Sequence, residues 1–172
     1  MNKHSLIVII SSIVIIGVVG NSVWNIYAVE QLQLSGKDGI FRYYEGMVGQ
    51  DKIITCNPLF LTTSFNQLYI TVFFEGKVKG IFSIDGTSIP PKSSQILDAE
   101  FSSESFAEIQ YYFLHFDGMF SGTAPIRIDP KKLAIETEFQ TPILGIIPFS
   151  VTNQYTGIDF WNMLNEDKNS KC

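Results

Sequence analysis

Histidine, cysteine and clustered positive charge are scarce in this sequence, and each scarcity removes a class of function. Of 172 residues, two are histidine and two are cysteine. A metal site needs several such ligands, or carboxylates, at ligand spacing. His4 stands before a long apolar run and His115 has no local partner, so His115 reads as a surface or half-buried side chain. Asp117-Gly118 reads as a turn, because no carboxylate follows at every second position as a calcium loop requires. Twelve Lys and Arg stand against seventeen Asp and Glu, a net charge of −5, with no basic cluster interleaved with aromatics. Nucleic-acid affinity comes largely from positive charge, so nucleic acid is not an expected partner.

Catalytic signatures are missing as well. A hydrolase elbow would read Gly-x-Ser-x-Gly; Phe120-Ser121-Gly122-Thr123 lacks the flanking glycine. Phosphate-cradling glycine motifs are absent. Glu100, Glu104, Glu108, Glu136 and Glu138 are spaced as solvent faces of strands and a helix, and acid–base work would need two of them to converge in a cleft. No catalytic, cofactor-binding or metal-binding residue is assigned, and neither a cofactor nor enzymatic activity is expected. Cys56, at a strand end, and Cys172, the last residue, are expected as a core thiol and a free tail thiol. A bridge between them would need the tail to fold back.

What the sequence has is apolar material in two places. Charged residues are 17% of the chain, below the roughly 25% usual in soluble domains. Residues 5–29 carry no charge, and 6–24 supply the ~20 apolar residues that cross a hydrocarbon core. Trp24 and Tyr27 stand where interfacial aromatics belong. Lys3 precedes the run, which places the N-terminus in the cytoplasm and the rest outside. The rival reading is a cleaved signal peptide, with Val18-x-Gly20 as the small-residue site. The length of the run favours an uncleaved anchor, and both readings send the remaining chain across the membrane.

The rest is organised around residues 52–97, four short strands with turn punctuation. Strand 52–56 stops at Asn57-Pro58, where proline offers no donor. Strand 65–74 is rich in aromatic and β-branched residues and closes at Glu75-Gly76, which suits a hairpin. Strand 77–84 is expected to stop at Asp85-Gly86, and Ser88-Ile89-Pro90-Pro91 leads into strand 94–100. Upstream, alternation of Ile26, Ala28, Leu32 and Leu34 predicts a strand over 25–34, and 40–49 predicts a strand or an irregular connection. Downstream, Phe106, Ile109, Tyr112, Phe113 and Phe116 recur at helical spacing, predicting a helix over 103–116. Ser102 or Ser103 would cap it, Ser105-x-x-Glu108 has the capping-box spacing, and Asp117-Gly118 would end it. Strands follow at 123–128, at 133–139 with Leu133, Ile135, Thr137 and Phe139 on one face, and at 146–153. Residues 159–165 are amphipathic and expected to pack on the domain.

The sequence Asn57-Pro58, then Ser64-Phe65-Asn66-x-Leu68-x-Ile70, then Asp85-Gly86-Thr87-x-Ile89-Pro90-Pro91-x-Ser93-Ser94, resembles the late embryogenesis abundant type-2 domain, also called the water-stress-and-hypersensitive-response domain. The resemblance covers about residues 26–155, best in 53–97 and more loosely in Leu144-Gly145-Ile146-Ile147-Pro148-Phe149-Ser150-Val151. It implies a mainly β fold, an antiparallel immunoglobulin- or fibronectin-like β-sandwich with one interposed helix, here preceded by one N-terminal transmembrane helix. The expected division is an anchor in 1–24, the sandwich in 25–155, and a short amphipathic segment with a polar tail in 156–172. The resemblance also implies that the motif residues are structural. The expected function is a non-catalytic, membrane-tethered module for stress-related interaction or protection, with a protein partner. The alternative is binding of a lipid or other apolar ligand at the membrane surface, for which Tyr43, Tyr44, Tyr111, Tyr112, Phe113 and Phe120 would be material wherever core packing does not claim them.

Overall fold

A computed structural model describes residues 3–36, 47, 51–121 and 129–165. It begins with a helix, α1 (Lys3–Glu30), followed by β1 (Gln33–Gly36). The four central strands are β2 (Asp51–Asn57), β3 (Thr63–Phe74), β4 (Lys77–Ile89) and β5 (Ser93–Ser102). Helix α2 (Phe106–Ser121), a 3-10 turn (Pro130–Lys132), β6 (Leu133–Gln140), β7 (Ser150–Thr156) and α3 (Gly157–Asn165) complete it. All seven strands join one curled sheet in the order β1-β2-β5-β4-β3-β6-β7, with every pairing antiparallel. The mainly β class, the helix between β5 and β6 and the N-terminal apolar helix match the expectation.

The β3–β4 hairpin turns at Glu75 and Gly76, both with positive φ (52° and 75°), as a two-residue type I′ turn demands. The sheet is continuous but parts locally. β4 and β5 pair only through 81–84 against 99–102. Beyond that seam, 85–89 of β4 stays with β3, while 93–98 of β5 stays with β2. Thr87 and Gln95 bridge the gap by a side-chain hydrogen bond of 3.0 Å.

Asp85-Gly86 does not end β4, contrary to the sequence expectation; the strand runs through it to Ile89. The reason lies in the facing strand. Buried positions of β3 shift phase from Phe65 to Leu68, and those of β4 from Ile84 to Ile89, while the pairing register is unchanged. Both strands turn together at the rung where Asn66 lies beside Gly86. A Cβ on Gly86 would sit 2.1 Å from the Asn66 carbonyl oxygen, so this close approach accepts only glycine.

Three further expectations are corrected. Residues 25–34 are not one strand: α1 continues to Glu30, and β1 starts at Gln33. The domain-facing residues Ser22, Asn25, Ala28 and Val29 follow three- and four-residue steps, so the helical period prevails over the apparent alternation. Hydrogen bonds from Gln31 to Ala28 and from Leu32 to Val29 close the helix. Asp117-Gly118 does not end α2, which continues to Ser121; Gly118 is buried within it. The last strand is Ser150–Thr156 instead of 146–153, because 141–149 form their own hairpin. The expected elements at 40–49 and 123–128 lie outside the described residues, Met47 apart, which is buried. Tyr43 and Tyr44 lie outside them too.

One apolar core binds the sheet to the helices. Leu68, Ile70 and Val72 of β3 meet Ile135 and Phe139 of β6, and Phe82 meets Phe101 and Phe113. Leu133, Ile135, Thr137 and Phe139 all point inward as their alternation predicts. α3 closes one side with Phe160 and Leu164, packing on β1, β6 and β7. Tyr112 and Phe113 are therefore core-facing, and Tyr111 is exposed.

Cys56 is disulfide-bonded, which replaces the expected free thiol. The only other cysteine in the sequence is Cys172, outside the described residues. Helix α3 packs on β1, whose Gln33 pairs directly with Cys56.

Candidate functional site

The end of the domain that receives α1 is built by three loops and the helix. Asn57 organises two of them. Fully buried, its amide nitrogen donates to the carbonyls of Leu61 (2.9 Å), Ile89 (3.0 Å) and Pro90 (3.2 Å). Its carbonyl oxygen accepts the Leu59 N–H at 3.1 Å. The β2–β3 loop and the β4–β5 turn are thereby held as one unit. Lys92, at φ 51°, donates its backbone N–H to Leu59 and its ammonium to the Pro58 carbonyl.

Helix α1 docks beside this unit. The Asn25 amide donates to the Ser64 carbonyl and the Thr141 hydroxyl, both at 2.7 Å, and accepts the Ser64 N–H at 2.9 Å. Ser22 accepts the Leu144 N–H at 3.0 Å while donating to Val18 of its own helix. Trp24 packs on Phe60 and Tyr27 at centroid distances of 5.8 and 5.7 Å. Ala28 and Val29 are wholly buried. The last turns of α1 thus belong to the domain, whereas residues 4–21 are exposed throughout.

The third loop is a finger formed by 141–149. Rungs from Thr141 to Phe149 and between Ile143 and Ile147 hold it as a hairpin. Leu144 and Gly145 turn it with positive φ (56° and 74°). Pro142 and Pro148 fall between the rungs, where a missing N–H costs no ladder bond. Most of its apolar side chains face outward: Ile146 is 81% exposed, with Leu144, Ile147 and Phe149 also exposed, and Ile143 half-buried. Phe60, on the neighbouring loop, is 70% exposed. Residues 139–158 contain no charged side chain. Open clefts of about 410 Å³ and about 340 Å³ flank the finger, the first between it and α1, the second on its other side.

The opposite end of β3 carries charge. Lys132 pairs with Glu75, which holds the Glu75 carboxyl below its ordinary range, first by hydrogen bonding and then by charge. A larger open cleft of about 840 Å³ lies between the start of β4 and the start of α2. There Ser103 accepts the Ser105 N–H two residues on and donates to the Lys79 carbonyl, but it is not the helix cap expected from the sequence. Helix α2 starts at Phe106 instead of 103, and Ser105, whose carbonyl accepts the Ile109 N–H, holds the capping position. Lys79 pairs with Glu108 and lies over the Tyr112 ring. Its ammonium is raised above the ordinary lysine range, chiefly by the Glu108 hydrogen bond.

The acidic residues weighed as acid–base material are distributed, not gathered. Glu108 is engaged by Lys79, Glu136 accepts from Gln154, and Glu138 accepts from Ser150 and Gln140. Glu100 and Glu104 are exposed. His115 stacks edge-on to Tyr111 at 4.3 Å. Among the described residues no three His, Cys, Asp or Glu gather as a metal site. The apolar finger went unread in the sequence because Ile-Leu-Gly-Ile-Ile looks like the start of a buried strand. The paired prolines around a glycine were the available signal.

No family model matches the sequence, and no curated protein matches it. Solved structures similar to this chain include two of low sequence identity. The crystal structure of an Archaeoglobus fulgidus protein shares 12% identity over 73% of this chain and 94% of that one, with a TM-score of 0.31. The solution structure of an Arabidopsis thaliana protein shares 18% identity over 73% of this chain and 77% of that one, with a TM-score of 0.24.

Proposed function

We propose that this protein is a non-catalytic β domain held against a membrane by an uncleaved N-terminal span, acting as an interaction or protective module on the outer side. The observation that carries this reading is the continuity of α1. It passes without a linker from an exposed, uncharged apolar stretch into a docked end fixed by Asn25 and Ser22. A helix that long and apolar meets the requirement for a span. The disulfide at Cys56 suits an oxidising compartment outside the cytoplasm. The resemblance of the Asn57-Pro58 and Ile89-Pro90-Pro91 region to the type-2 late embryogenesis abundant domain supports the stress-related, protective part of the reading. The β-sandwich class it implies agrees with a sheet that parts at the β4–β5 seam.

Replacing Ile10 and Ile15 together with arginine tests the anchor. Each charge at a central position costs about 2.5–3.5 kcal/mol on insertion scales, so the variant should leave the membrane fraction under alkaline wash. Retention of the double variant would end the anchor reading. The exposed apolar end and its clefts favour a second reading, binding of a lipid or apolar ligand. Native mass spectrometry of the purified chain, after lipid is offered, separates the two. Stoichiometric bound lipid supports the second reading, and bare protein mass leaves the first.

A further inference from the structure

We infer that the 141–149 finger, with Phe60 and Leu61 beside it, is a membrane-contact surface that sits in the lipid headgroup and outer acyl region next to α1. This rests on the reading of α1 as a membrane span. Length is the first argument. Residues 4–21 are the exposed part of α1, and at about 1.5 Å per residue they extend roughly 27 Å. A hydrocarbon core is about 30 Å thick. The free helix is used up in crossing it, and no spare turn remains to lift the domain off the surface.

Direction is the second argument. Thr141 bonds Asn25, Leu144 bonds Ser22, and Gly145 shares a cleft with Val18. Stepping from 141 to 145 along the finger therefore steps back along α1 toward its apolar, N-terminal part. The tip points where the lipid would be.

Chemistry is the third. The tip presents Leu144, Ile146, Ile147 and Phe149 to the outside with no charged residue from 139 to 158. An apolar surface of this kind on an exposed loop marks a membrane or protein contact. Lipid is the occupant that the adjoining span favours. Lys92, held over the β2–β3 loop at this same end, places a cation at the level of lipid phosphates. The pairs Glu75–Lys132 and Lys79–Glu108 lie at the other end, away from the bilayer.

The test uses the full chain in phosphatidylcholine vesicles, with a benzophenone-bearing phenylalanine placed at Ile146, and separately at Val78 on the far end. After irradiation, mass spectrometry reads what each position has captured. The expected result is a phospholipid mass added at Ile146 and none at Val78. Capture of a second chain or of another protein at Ile146 would overturn the inference, as would absence of any lipid adduct while the chain resists alkaline extraction. A chain that washes off the vesicles would instead overturn the anchor reading, and this inference with it.

Discussion

Asn57 shows how much one buried amide can organise. Its side chain satisfies one carbonyl and one N–H of its own loop and two carbonyls more than thirty residues away in sequence. Unpaired buried polar groups each cost about 1–3 kcal/mol. Asn57→Ala is therefore expected to lower stability by about 3 kcal/mol or more, read as a shifted denaturation midpoint. A change below about 0.5 kcal/mol, the range of neutral surface substitutions, would contradict this role. At Gly86 the space is closed by the Asn66 backbone, so even Gly86→Ala should destabilise, by about 1–3 kcal/mol as overpacking does. Ile70 is 1% exposed in the middle of β3. Ile70→Asp buries an unpaired charge there and should unfold the domain; an unchanged melting temperature would place Ile70 on the solvent side. Much of this was legible in the sequence. Asn57-Pro58 announces the end of a strand, but which carbonyls the asparagine reaches depends on a turn brought in from Ile89 and Pro90. Asp85-Gly86 was misread because a glycine demanded by a neighbouring strand looks the same as a glycine demanded by a turn.

Among elements, α1 departs furthest from the sequence reading. Its apolar character and length were plain, but its C-terminal end was not, because Ile26, Ala28, Leu32 and Leu34 also alternate. The decision lies in polar side chains, Ser22 and Asn25, whose partners at Ser64, Thr141 and Leu144 come from distant loops. A soluble domain starting at residue 30 would lack Ala28 and Val29 from its core and is expected to be less stable than one starting at residue 21. Comparing the two melting curves checks this, and equal curves would show that the helix end contributes nothing. The strands were more legible, since one alternating pattern fixes both the extent of β6 and its buried face. Charge at the far hairpin gives a modest pH dependence. The Glu75 carboxyl, lowered by Lys132, contributes stability above its ordinary value of 4.5, and that contribution is lost as pH falls through the lowered value. Glu75→Gln should flatten this part of the acid unfolding curve. An unchanged curve would show that the exposed pair contributes nothing.

At the scale of the whole molecule the domain is polarised, with apolar loops around α1 and ion pairs at the other end. This arrangement was hidden in the sequence, because it depends on which strand ends lie together. The disulfide at Cys56 adds a covalent constraint, and Cys56→Ser is expected to lower stability by about 2–5 kcal/mol, measured without reductant. The central claim is that one helix is both membrane span and part of the domain. Its most direct test is to isolate the protein from cell membranes after alkaline extraction and map its N-terminal peptide by mass spectrometry. An N-terminal peptide that still contains Leu6 to Gly20, found in the extracted membrane fraction, is the predicted result. A soluble chain whose first residue is Asn21 would contradict it, leaving only the docked turns of the helix as part of the mature protein.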